Sequence, residues 1–144
     1  MTPAVPRRAP GMTLLLAGLF LGLPTAEARS VGTVSYPIAD VWPSAVRFLR
    51  IDRNCAIREK DEAAGYILFD YPEGQKLHKG SLELIRTSDS EGREITRVAA
   101  SLPDLPRYLE QLLIDKFAAK LREDHGAPAP PPSRKPAPQP DGGT

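Results

Sequence analysis

The stretch Tyr66-Ile67-Leu68-Phe69-Asp70-Tyr71 is the strongest strand signal in the chain. Aromatic and aliphatic side chains fill it. Turn-forming residues bound it, with Asp61-Glu62-Ala63-Ala64-Gly65 before and Pro72 after. A short apolar run between such punctuation reads as a strand, and its near-continuous apolarity predicts a central place in a sheet.

The neighbouring segments extend that sheet. Upstream, 54–60 alternates, with Cys55 and Ile57 on one face and Arg58 and Lys60 on the other. Downstream, 81–87 and 94–101 form a hairpin around 88–92, where Gly92 can take a positive φ. Leu82, Leu84 and Ile95 are expected to point inward, and Glu83, Thr87 and Thr96 outward. A further strand lies at 31–36, ended by Pro37, with Val34 and Tyr36 on one face.

Two helices flank the run of strands. The first takes Asp40 as its N-cap, tolerates Pro43 in its first turn and runs to about Ile51. Trp42, Ala45, Val46 and Leu49 form its apolar stripe, with Arg47 and Arg50 opposite. The second begins near Asp104, with Pro106 in its first turn, and ends at His125, where Gly126 suits the C′ position. Its stripe is Leu105, Tyr108, Leu109, Leu112, Leu113 and Phe117. Ile114 falls about 180° from Leu105 at ~100° per residue, and is expected outside. The order β-α-β-β-β-β-α predicts an α+β fold, an antiparallel sheet with both helices packed on one face. The other face is left for solvent or a polar partner, populated by Arg58, Lys60, Glu83, Thr87 and Thr96.

The ends differ from the middle. Residues 1–28 have the form of a secretory signal peptide: Arg7 and Arg8, an apolar run over 12–23, Pro24, and a cleavage site Ala26-Glu27-Ala28. The run is too short for the ~20 residues that span a bilayer, so no transmembrane anchor is expected in the mature chain. Residues 126–144 read GAPAPPPSRKPAPQPDGGT and should form an extended, disordered tail. A single domain is left at 29–125.

Composition narrows the chemistry. The 144 residues carry a formal charge of +1, which argues against a nucleic-acid partner. One cysteine excludes an intrachain disulfide, and two histidines exclude a His-rich metal site. No cofactor motif is present. Cys55 falls on an apolar face, where a thiol is inert, and His125 sits at a helix C-terminus, where its charge suits the dipole. The adjacent carboxylates Asp61/Glu62, Asp89/Glu91 and Glu123/Asp124 fall in turns and helix ends. The segment 72–80 is expected to be a nine-residue loop. Lys76, His78 and Lys79, bracketed by Gly74 and Gly80, are its candidate binding residues for an anionic ligand.

Val41-Trp42-Pro43-Ser44-Ala45-Val46, the acidic turn Asp61-Glu62-Ala63-Ala64-Gly65 with Tyr66-Ile67 after it, the hairpin, and Leu109-Glu110-Gln111-Leu112-Leu113 together resemble the repeated domains of the BamC family. These are lipoproteins of the outer-membrane β-barrel assembly machine. The similarity spans about 31–121. It implies a small α+β envelope domain. This chain has no lipidation cysteine and one such domain, so the resemblance assigns no functional residue. The expected function is an exported, non-enzymatic accessory or binding domain of a bacterial envelope, periplasmic or secreted, with an envelope protein or anionic ligand as partner. The alternatives are a periplasmic hydrolase or peptidoglycan-active enzyme, and a small-molecule carrier with a cavity lined by Trp42, Phe69 and Phe117.

Overall fold

The computed structural model describes residues 29–128. The signal-peptide reading and most of the proline-rich tail lie outside these residues. Strands β1 (Ser30–Val34), β2 (Ala56–Asp61), β3 (Tyr66–Glu73), β4 (Lys76–Ser88) and β5 (Glu94–Ser101) form one antiparallel sheet in the order β1-β5-β4-β3-β2. Helices α1 (Ile38–Arg47) and α2 (Arg107–His125) supply the remaining layer. The element order is the one the sequence predicts. Helix α2 packs against β1 and β5, and α1 against β4 and β5. One apolar cluster joins the layers. Ile67, Phe69, Leu82, Leu84 and Val98 from the sheet meet Trp42, Leu49, Leu113 and Phe117 from the helical side.

Helix α1 starts earlier than its sequence suggests. Ile38 is its first residue, so Asp40 sits in the first turn and Pro43 inside the helix. The cap comes from a distant strand: Glu94 on β5 accepts the Ile38 N–H at 3.0 Å. That carboxylate meets one of the orphan donors that a helix start exposes, and its charge suits the N-terminal dipole. After Arg47 the helix widens into a π-turn, Phe48–Asp52, closed by Arg53 N–H donating to the Phe48 carbonyl at 3.0 Å. Asn54 then takes φ 51°, left-handed backbone that asparagine tolerates better than most residues.

Three phases differ from the sequence reading. In α2 the buried face is Leu109, Glu110, Leu113, Ile114, Phe117 and Leu121, whereas Tyr108 is 66% exposed and Leu112 also faces solvent. Ile114, expected outside, is 3% exposed because it packs on Gly32 of β1. A Cβ at Gly32 would lie 2.7 Å from Ile114 Cγ2, so the helix and strand close together only over glycine. Glu110 turns inward because donors await it. Ser30 N, Ser30 Oγ and Leu102 N give hydrogen bonds of 3.2, 3.0 and 2.8 Å to its carboxylate. In β5, Thr96 is buried and Ile95 is partly exposed, the reverse of expectation. The Thr96 hydroxyl donates to the Tyr36 carbonyl at 2.9 Å, which satisfies it within the core.

The third phase change is in β2. The pairing shifts between Ile57 and Glu59, so Arg58 is a bulge residue. Lys60 then pairs opposite Ile67 and lies on the helical face of the sheet. Simple alternation places it on the open face.

Candidate functional site

The segment 72–80 is not a loop. Strands β3 and β4 continue to Glu73 and Lys76, joined by Gly74 and Gln75 alone. Gly74 has φ 60°, which a two-residue hairpin with glycine first requires. Lys76, His78 and Lys79 therefore sit within β4, opposite Glu73, Tyr71 and Asp70. Alternation sends Lys76 and His78 to one face and Lys79 to the other. The structure does not bring the three together around one ligand. The loop expectation failed because a turn residue and a lysine-rich strand have the composition of a loop.

Among the described residues, two concave surfaces border the sheet. The first runs across the open face of the sheet, as two adjoining depressions of about 490 and 390 Å³ that share Leu68 and Ser81. Arg58, Glu59 and Lys79 rim one depression, and Arg29, Tyr66 and Glu83 the other. Arg58 and Glu83 are where the alternation puts them, while Thr96 and Lys60 are not. Most charges here are paired, and Lys79 has no ion-pair partner among the described residues. Arg58 pairs with Asp70 at 3.2 Å, Arg29 pairs with Glu83, and the Tyr66 hydroxyl donates to Glu59. That bond to a carboxylate raises the tyrosine pKa.

The second concavity, about 800 Å³, lies between α1 with its π-turn and the edge strand β2. Trp42, Val46 and Ile57 make an apolar floor, and Arg47, Arg50 and Lys60 make a basic rim. Ile51, 71% exposed, stands on that rim. Among the described residues, none of these three cations has an ion-pair partner. Sequence reasoning saw Arg47 and Arg50 as the solvated side of a helix. It could not add Lys60, because the bulge that turns the strand is a tertiary feature.

The reactive groups are occupied in holding the fold. Cys55 is buried, its Sγ 3.7 Å from the Arg53 carbonyl. Burial raises its pKa to about 11 against the smaller opposing effect of Arg53, so almost no thiolate exists at neutral pH. Ser44 Oγ and His125 Nε2 lie 2.9 Å apart, a contact between α1 and the end of α2. The same ring packs on Tyr36 at 6.0 Å, and the Tyr36 hydroxyl donates to the Gly126 carbonyl at 2.6 Å. These contacts fasten the C-terminus of α2, and neither Ser44 nor His125 lines either concavity. Trp42, Phe69 and Phe117 do not enclose a common ligand cavity. Phe117 packs on Phe48 at 5.3 Å, whereas Trp42 and Phe69 border different concavities.

Among the described residues no helix is long and apolar enough to cross a membrane. No group of three or more His, Cys, Asp or Glu side chains there could hold a metal ion. A scan against protein-family models finds no match, and neither does a search of curated proteins.

Proposed function

We propose that the chain is an exported accessory or binding domain of a bacterial envelope, working by contact and without catalysis. The observation that carries this reading is the division of labour among its side chains. Cys55, Ser44 and His125, three groups with nucleophilic or basic chemistry, are engaged in packing and inter-element ties, and His78 stands on β4 opposite Tyr71, apart from them. The exposed concavities are lined mainly by charged, aromatic and aliphatic side chains suited to recognition, and Cys55 reaches one of them only as a buried thiol. Export rests on the sequence of residues 1–28, with cleavage after Ala28. The envelope setting also draws on the resemblance to BamC-like domains.

One preparation tests both halves. The full chain is expressed in a bacterial host, the cells are fractionated, and the recovered protein is sequenced from its N-terminus. A chain beginning at Arg29 in the envelope fraction is expected. A cytoplasmic chain beginning at Met1 would remove the export half. The same protein is then assayed on ester and peptidoglycan substrates. Turnover abolished by Ser44→Ala or His125→Ala would remove the non-catalytic half.

A further inference from the structure

The groove between α1 and β2 combines three features. Its cations are uncompensated: Arg47, Arg50 and Lys60 face it without an ion-pair partner among the described residues, and no carboxylate lines it. One wall is the free edge of the sheet, since β2 is last in the strand order. The other wall ends in a π-turn, a local distortion common at functional sites, which carries the exposed Ile51.

We propose that this groove binds a short, extended, acidic peptide segment of a partner protein. Carboxylates on the segment would meet Arg47 and Arg50, which both line the groove from its helical wall, and Lys60 across it. Apolar side chains between them would rest on Trp42, Val46 and Ile57. The backbone of such a segment can also complete hydrogen bonds along Ala56 and Ile57, as in other strand additions to a sheet edge. The bulge at Arg58 interrupts the edge beyond that point, which limits the fit to a few residues and guards against long edge-to-edge pairing. A second copy seated groove to groove is disfavoured, because it would bring the same cations to this rim. An anionic lipid would use the charge but leave the strand edge unpaired.

The inference rests on the reading of the chain as a binding domain and names the chemistry of its partner. Its test uses purified protein and synthetic ligands, so its failure leaves the export and turnover results standing. The probe is a fluorescein-labelled, C-terminally amidated heptapeptide of alternating Glu and Val, titrated with the full chain by anisotropy at low and high salt. The comparison peptide has Gln for every Glu. Phosphatidylglycerol vesicles form a third arm, read by co-sedimentation.

The acidic peptide is expected to bind at least tenfold more tightly than the Gln peptide, and less tightly as salt rises. Arg47→Glu with Arg50→Glu should weaken it at least tenfold, and Lys79→Glu on the open face should leave it unchanged. Circular-dichroism melts verify that the variants fold. Should the double variant unfold, Lys60→Glu is measured in its place, with a loss of at least threefold expected. Equal affinity for the two peptides, no saturable binding of either, or insensitivity to these rim variants would overturn the proposal. So would vesicle binding that needs Arg47 and Arg50 while the peptide shows none, which would assign the rim to a lipid surface.

Discussion

The two edges of the sheet are built in opposite ways. At β1 the edge is sealed to helix α2. Glu110 reaches down to three donors on Ser30 and Leu102, and Ile114 closes onto Gly32. At β2 most residues are exposed, a bulge turns the strand, and the helical layer stands back to leave a basic groove. Polar groups at the first edge are consumed internally, and those at the second are left for a partner. The contrast teaches that stability and recognition are assigned to different ends of one sheet.

Several substitutions break or sharpen that contrast. The largest effect is expected where the open edge borrows its floor from the core. Trp42 is 6% exposed although it borders the groove. Trp42→Ala should cost about 3–5 kcal/mol, the range for truncating a large buried aromatic, measured by urea unfolding. A loss under ~1 kcal/mol, a size typical of surface changes, would make the groove floor a surface feature.

At the sealed edge, Glu110→Ala should cost on the order of 3 kcal/mol, since buried donors left without partners cost roughly 1–3 kcal/mol each. Glu110→Gln retains one acceptor oxygen and should fall between Ala and wild type. If Glu110→Ala unfolds at the same urea concentration as wild type, the clamp adds nothing and the edges are equivalent.

A smaller effect depends on pH. Cys55 lies behind the open edge with its folded pKa raised to about 11. Between the unfolded thiol pKa and 11 the unfolded chain ionises while the folded chain does not. Its contribution is therefore fully present below the unfolded pKa and is lost as pH rises towards 11. Stability should decline over that interval, and Cys55→Ala should flatten the decline relative to wild type. Alkylation by iodoacetamide at pH 8 should require unfolding, and rapid labelling of the native chain would show the open edge to be looser than its geometry.

The smallest effect belongs to the rim. Arg47 and Arg50 are exposed and have no ion-pair partner among the described residues. Reversing either to Glu should alter stability by no more than ~0.5 kcal/mol, as for most surface changes. A larger loss in thermal or urea denaturation would mean that these cations serve the fold, and the division between the edges would disappear.

Much of the architecture is legible in short windows of sequence. The near-continuous apolar run in 66–71, the period of two in 81–87, the helical stripe through Trp42 and Leu49, and the turn residues at Gly65 and Gly92 are local properties. They determine the element order, the antiparallel sheet and the α+β class, because each depends on steric preference and on burial of one face. The burial of Cys55 and Trp42 follows from the same patterns. The groove was half visible, through Arg47 and Arg50 on one side of a helix.

Tertiary structure alone decided which of two adjacent faces each ambiguous element buried. Glu110 counts as polar until Ser30 and Leu102 bring donors to it, and only then does its face of α2 outcompete that of Tyr108 and Leu112. Thr96 reads as an outward residue until the Tyr36 carbonyl accepts its hydroxyl. Lys60 reads as an open-face residue until the bulge at Arg58 changes the phase of β2. Lys76, His78 and Lys79 read as a loop until the pairing of Tyr71 with His78 extends two strands to Gly74. In each case the deciding partner is supplied from outside the local window, so its free energy enters only when the chain has closed on itself.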